Sequence, residues 1–343
     1  MNLLLIVAFL LGNLYKFSHV SPLDVFVGIL WTLNLPRILS RTDILLKPIL
    51  AFGIVGVISL LVASFRFSPA EISVSAMYLL RWIVYSSIAG VVIQSIKVLP
   101  AVGIGTAIIR IQQYIKIPDV RFLETGGWDP HYYRIVGTLL DPGFTGLVLV
   151  LTLVYLVINN YHKFYWVIVY IALALTYSRA SFLAFFTAFT WISYQRKTWK
   201  YIIVSASCVL LTVFLLPRYS SGEGVKLERS STIYARIESW RKAWQIFSDN
   251  PIIGVGFNTY RYAQKASPDS HAGAGSDSSI LLVMATTGII GLLFYLRYIK
   301  NLWESNNNLI ISTSLVAILI HSFFLNSLFY PSVMLWIALL IPG

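Results

Sequence analysis

Long apolar runs separated by short polar stretches dominate the chain from end to end. The runs are continuous rather than alternating, so they predict helices and not the strands of a barrel. Read as helices, they fall at roughly 2–16, 20–36, 45–65, 72–96, 99–115, 143–160, 163–177, 179–194, 200–216, 278–298, 308–325 and 328–342. About twenty apolar residues cross a bilayer, and short or tilted spans are tolerated. The pattern therefore predicts an all-α, polytopic integral membrane protein of about twelve transmembrane helices, forming one domain over residues 1–343.

Two polar segments interrupt these runs, 115–142 and 217–277. The second opens with an apolar stripe at Ile233, Ile237, Trp240, Trp244 and Phe247, a helical period with Arg236, Arg241 and Lys242 beside it. Such a stripe suits a helix lying in a headgroup layer, and equally a helix packed on its neighbours. Ser248-Asp249-Asn250-Pro251 ends it, because proline cannot continue a helix and biases the preceding residue to extended backbone. Gly254-Val-Gly256 then marks a turn or a close approach. It lacks the third glycine and the lysine of a nucleotide loop.

Composition agrees with the pattern: 57% of residues are hydrophobic and 12% charged, against about a quarter charged in soluble domains. The single cysteine, Cys208, excludes an intrachain disulfide and a thiolate cluster. The N-terminal apolar run has no basic flank and no clear cleavage site, so a retained first helix is expected. Net charge is +12, from 26 Lys and Arg against 14 acids. Short loops carrying Arg37/Arg41/Lys47, Arg196/Lys197/Lys200 and Arg297/Lys300 fall on one side of the predicted spans. The positive-inside bias makes that side cytoplasmic, with both termini, and puts 115–142 and 217–277 outside.

Several charges fit topology poorly. Arg81 lies mid-run and is expected to face the bundle interior, whereas Arg110 can either snorkel or line a site. His321 and Asn326 are expected to hydrogen-bond between helices. Arg179 stands in Tyr177-Ser178-Arg179-Ala180-Ser181, a tight turn between two apolar runs, and is a candidate anion ligand. In Arg134-Ile-Val-Gly137-Thr-Leu-Leu-Asp141-Pro142, the last two residues form a good helix start, aspartate as cap and proline in the first turn.

Four pieces stand in order: Arg134-x-x-Gly137 with Asp141-Pro142; Ser178-Arg179-Ala-Ser; Arg236-x-x-x-Trp240 with Asn250-Pro251-x-x-Gly254-x-Gly256; and Thr287-Gly288-Ile-Ile-Gly291. Together they resemble the O-antigen ligase and polymerase superfamily, over roughly residues 134–296. The resemblance implies a metal-independent glycosyltransferase of the bacterial inner membrane, with a polyisoprenyl-pyrophosphate-linked donor and a periplasmic active site in the 217–277 loop. It puts the pyrophosphate on Arg179 and Arg236. Ligases of this family carry a His-Asn pair where this chain has Asp277-Ser278, and the nearest histidine is His271. That difference favours a surface-polysaccharide polymerase, with a ligase using another acceptor as the alternative.

The residues support such chemistry. Fixed guanidinium groups stabilise the charge that develops on a departing pyrophosphate, so Arg134 and Arg81 join Arg179 and Arg236 as candidate ligands. The attacking sugar hydroxyl needs a base, either Asp277 or His271; Asp277 is equally well placed to cap the following helix. Trp240, Arg241 and Tyr260 are candidate sugar contacts. No metal or other cofactor is expected, since no polar segment carries a convincing ligand cluster. The expected partners are an undecaprenyl-pyrophosphate-linked oligosaccharide, as donor and acceptor, and membrane lipid, with a chain-length regulator and a flippase as possible protein partners and no nucleic acid. A lipid-glycan flippase is the rival of another class, but no internal repeat supports it.

Overall fold

In a computed structural model of the chain, the residues described are 2–15, 17, 19–41, 44–91, 98–217, 223–266, 274–305 and 308–341. Fifteen α-helices form among them: α1 (Asn2–Leu11), α2 (Pro22–Leu33), α3 (Leu35–Leu39), α4 (Leu46–Ala63), α5 (Pro69–Ser87), α6 (Leu99–Lys116), α7 (Pro142–Ile158), α8 (Lys163–Ala174), α9 (Arg179–Gln195), α10 (Lys200–Leu215), α11 (Ser231–Asp249), α12 (Tyr260–Ala263), α13 (Ser279–Glu304), α14 (Leu309–His321) and α15 (Pro331–Leu340). Among the described residues the fold is all-α, with isolated β-bridges beside the helices.

The predicted twelve spans are not found. Among the described residues two helices, Leu46–Ala63 and Ser279–Glu304, are long and apolar enough to cross a membrane. Seven other apolar helices have 10–17 residues. At about 1.5 Å per residue, ten residues reach about half of a 30 Å hydrocarbon layer. The topology built on those spans falls with them: a multi-pass inner-membrane placement with cytoplasmic termini, and a polymerase or ligase acting at a periplasmic face, lack support in this fold. The physical reason is that apolarity reports avoidance of water, not what replaces the water. In α7 every residue from Pro142 to Val157 is buried, because α6, α8, α9 and α14 pack around it.

The chain divides into two compact units. The first comprises Met1–Phe26, Gln94–Ser230 and Asn308–His321, and the second Val27–Ile93, Ser231–Asn307 and Ser322–Gly343.

In the first unit α9 lies against α14 and α10 as well as α7. Its N-terminus is capped by Ser178, whose Oγ accepts from the Ser181 amide at 3.3 Å. The buried Ser181 hydroxyl also lies 3.2 Å from Nε2 of the buried His321, which ties α9 to α14. Asp141 caps α7 as expected: Oδ1 accepts from the amides of Gly143 at 2.6 Å and Phe144 at 2.9 Å, with Pro142 following. Arg110 is 1% exposed and does not snorkel. It donates to Thr145 Oγ1 at 2.7 Å and Thr138 Oγ1 at 3.2 Å, bracing the turn that precedes α7.

In the second unit α13 packs on α4 and α11, α4 on α5, and α15 on α5. A capping box starts α5: Glu71 accepts from the Ser68 amide at 2.8 Å while Ser68 Oγ accepts from the Glu71 amide at 3.4 Å. Aromatic rings fill the interior, with Phe52 4.7 Å from Trp82 and 4.9 Å from Tyr295, and Tyr295 stacked on Phe329 at 5.3 Å.

Helix α13 is broken at Gly288, whose φ of 64° and ψ of −165° are not helical. The amides of Ile289 and Ile290 turn to the carbonyls of Pro251 (2.8 Å) and Ile252 (3.4 Å). The helix carbonyls of Ala285 and Thr286 accept instead from Val255 and Gly256, both at 3.0 Å. Four hydrogen bonds that a continuous helix would form or leave open at this point are thus met by the loop at 251–256. One of the two span-length helices is therefore interrupted.

Candidate functional site

The first unit gathers arginines at the turn between α8 and α9. Tyr177 sits there at φ 49°, with its side chain fully buried and its hydroxyl donating to the Pro217 carbonyl at 2.8 Å. The carbonyls beside it attract cations. Arg134, 7% exposed, donates from Nε to the Thr176 carbonyl at 3.0 Å and from Nη2 to that of Tyr177 at 3.4 Å. Arg229 reaches the same Tyr177 carbonyl at 3.5 Å through Nη2. Its Nη1 donates to the carbonyls of Gly224 and Lys226, each at 2.8 Å. Arg179, in the first turn of α9, donates from Nη1 to the carbonyls of Leu227 (3.2 Å) and Arg229 (2.9 Å).

Three guanidinium groups thus converge on the residues at 176–179 and 224–229. The close fit leaves no room for a side chain at Gly224, where a Cβ would stand 2.8 Å from Arg134 Cδ. Burial, and then the charges of Arg134 and Arg229, hold His131 down at about 3, so it is neutral at pH 7. Asp141 is pushed up, by burial first, against the hydrogen bonds of its cap and the charge of Arg134. Three guanidinium groups in one place offer several donors to an anion with several oxygens, and the Asp129 and Asp141 carboxyl groups lie within the field of Arg134.

The second unit gathers another set. Helix α11 packs on α13 through Ala243, which is fully buried in a cluster with Tyr260, Leu282 and Ala285. Ile233, Ile237 and Trp244 of the apolar stripe stay exposed, so the packed face is offset from the stripe. Arg236, Ser239 and Trp240 share one side of α11 by their i, i+3, i+4 spacing. The Arg236 guanidinium lies 5.7 Å from the centre of the Phe324 ring, and Trp240 is 6.2 Å from the same ring. Ser239 Oγ accepts from the Asp277 amide at 3.0 Å, and the Ser239 carbonyl accepts from the Tyr260 hydroxyl at 3.4 Å. Tyr260 is pushed up to about 12, by burial first and then by the charge of Asp277.

The helix cap that Asp277 was fitted to provide belongs to its neighbour. Ser278 is the N-cap of α13, its Oγ accepting from the Leu281 amide at 3.5 Å. The Asp277 carboxylate is therefore not the cap of α13. Trp240 Nε1 is buried and makes no hydrogen bond among the described residues.

The remaining predicted residues separate. Arg81 lies over the Tyr78 ring at 4.7 Å and lines a cleft of the second unit with Trp82, Phe257, Asn258, Thr286 and Phe329. Arg241 is exposed and pairs with Glu238 at 3.3 Å, a solvated contact. His271 lies outside the described residues. The structure therefore brings Arg134 and Arg179 together in the first unit, and Asp277, Arg236, Trp240 and Tyr260 in the second. Sequence reasoning did not single out Arg229, His131 or Ser239, which the structure places beside predicted residues. Nothing local marks Arg229 in Glu228-Arg229-Ser230; it meets Arg134 through a carbonyl 52 positions away. Among the described residues no group of three or more His, Cys, Asp or Glu side chains is placed to hold a metal ion.

No curated protein matches the chain. A family model does match part of it, from within α8 to within α13, a stretch that contains Arg179, Arg229, Arg236, Asp277 and Gly288 but not Arg81 or Arg134. Residues 164–296 match the family described as O-antigen ligase, which supports, at the level of the family, an enzyme of polysaccharide biosynthesis.

Proposed function

We propose that the chain is a glycosyltransferase whose donor is an oligosaccharide linked to a polyisoprenyl pyrophosphate. The observation that carries this reading is the gathering of three guanidinium groups in the first unit, Arg134 and Arg229 on the Tyr177 carbonyl and Arg179 on the carbonyls of Leu227 and Arg229. In the reaction, an acceptor sugar hydroxyl oxygen bonds to the anomeric carbon as the bond from that carbon to the phosphate oxygen breaks. The electron pair leaves with the pyrophosphate, which stays on its lipid, and the hydroxyl proton passes to a base. Charge grows on the leaving oxygens as the bond lengthens, so fixed guanidinium groups favour the transition state over the ground state. Arginine suits the task because its planar fork binds two oxygens and remains charged.

Arg134, Arg179 and Arg229, all in the first unit, take the pyrophosphate. A lipid-linked oligosaccharide serves as donor, and a second one is the proposed acceptor. The family match at 164–296 supports the reaction class.

The experiment is a transfer assay with a short-chain polyisoprenyl-pyrophosphate-linked oligosaccharide, following release of the lipid pyrophosphate. Wild type is expected to release it only when acceptor is present, and Arg179→Ala to lower kcat by about 10²-fold or more. Release that is equal in wild type and Arg179→Ala would refute the reading.

A further inference from the structure

Arg179 opens α9, and the residues just before it carry the carbonyls on which Arg134 and Arg229 gather. Tyr177 stands in that turn at φ 49°, a conformation that residues other than glycine hold where their surroundings fix it. Part of what fixes it comes from another helix of the same unit. His321, the last residue of α14, is fully buried, and its Nε2 lies 3.2 Å from the equally buried Ser181 Oγ in the first turn of α9. Ser181 Oγ is also 3.1 Å from the Gly143 carbonyl of α7 and 2.8 Å from Ser178 Oγ, the cap of α9. The Ser178 amide in turn donates to Thr176 Oγ1 at 3.2 Å, so the two residues that flank Tyr177 are joined to each other.

We propose that His321 is a positioning residue for the pyrophosphate site: through Ser181 and Ser178 it holds the turn at 176–179, and with it the direction of Arg179. This deepens the reading above and rests on it. The direction of the contact follows from counting hydrogens. The Gly143 carbonyl only accepts, so the one Ser181 hydroxyl hydrogen goes to it, and Ser178 and His321 donate to the Ser181 oxygen. His321 thus presents Nε2–H. The elements also meet without slack: a Cβ on Gly146 of α7 would stand 2.3 Å from Ser181 Oγ and 3.3 Å from Thr176 Oγ1. In such close packing a shift of Ser181 passes on to the turn. Misplacing a binding group by about 1 Å can cost about 10²-fold in rate.

Two measurements on the full chain test this, binding of inorganic pyrophosphate by phosphorus NMR line broadening and the transfer assay, both run well below the melting temperature of every variant. His321→Leu removes the donor and is expected to weaken pyrophosphate binding and to lower kcat by about tenfold or more. His321→Gln, whose amide nitrogen still donates, keeps most of both. Gly146→Ala presses on Ser181 from α7 and should give the same losses with His321 intact. Arg110→Met is the control for destabilisation alone, with a lower melting temperature and unchanged binding. Combined with Arg179→Gln, His321→Leu should add little further loss of binding, because both changes act on the same contact. If folded His321→Leu binds pyrophosphate and turns over like wild type, or if its loss adds in full to that of Arg179→Gln, the positioning role is refuted and the arginine assignment stands. Absence of pyrophosphate binding to folded wild type refutes both.

Discussion

Gly254 and Gly288 hold each other's backbone at the break in α13. A Cβ on Gly254 would stand 2.3 Å from the Thr286 carbonyl carbon, and one on Gly288 would stand 2.2 Å from the Ile252 carbonyl oxygen. Both adopt positive φ, 73° and 64°. The two glycine motifs that read as separate fragments in the sequence are therefore halves of one main-chain contact, with four hydrogen bonds across it.

Substitution at this contact is expected to be costly. Gly288→Ala combines left-handed strain with a clash against backbone, and destabilisation of about 3 kcal/mol is expected. Gly254→Ala should cost a similar amount, and the double variant less than the sum, because the first change already separates the two segments. Gly28→Ala is the control: nothing lies within 4 Å of its Cβ position in α2, and a gain of about 0.5–1 kcal/mol is expected. Denaturant unfolding checks all four, and near-additive glycine losses would contradict the mutual contact.

Arg110 is a structural residue. Arg110→Met leaves the Thr138 and Thr145 hydroxyls without their charged donor and should cost about 3 kcal/mol, with binding of pyrophosphate unchanged. A large loss of pyrophosphate affinity in a folded Arg110→Met would return it to the site.

Adjacent substitutions test which residue caps α13. Ser278→Ala removes the cap and should lower stability by about 1 kcal/mol. Asp277→Asn should leave stability nearly unchanged, because its carboxylate is not the cap. Thermal unfolding of both variants would expose an exchange of these roles.

His131 makes stability depend on pH. Its folded value of about 3 lies below the ordinary 6.5, so between those values the unfolded chain binds the extra proton. Stability from this group is complete above about pH 6.5 and is lost as pH falls towards 3. His131→Gln should therefore lose less stability than wild type on going from pH 7.5 to pH 4, with the two differing least in pH sensitivity above pH 7. Arg134→Gln should flatten the wild-type profile, because that charge helps to keep the imidazole neutral. Parallel melting curves of wild type and His131→Gln across this range would remove His131 from the account.

Local signals were legible where the physics is local. Asp141-Pro142 starts α7, and α11 stops at Asp249, ahead of Asn250-Pro251, because a cap or a proline acts within a turn of itself. The assignment of Arg110 was not legible, since its Thr138 and Thr145 partners lie 28 and 35 positions away. The choice between Asp277 and Ser278 as cap turns on one residue's backbone angles, which composition does not encode.

By itself, the sequence determined that this protein is helical, where most helices lie, and that its cations outnumber its acids. Those properties are set by periodicity and composition, which each segment carries alone. The tertiary structure decided the rest. It ended most apolar runs short of bilayer length, surrounded α7 with other helices, and divided the predicted arginines between two units. It also recruited Arg229 to Arg134 and Arg179 through carbonyls distant in sequence. A run of apolar residues states that water is excluded, and only packing states what excludes it.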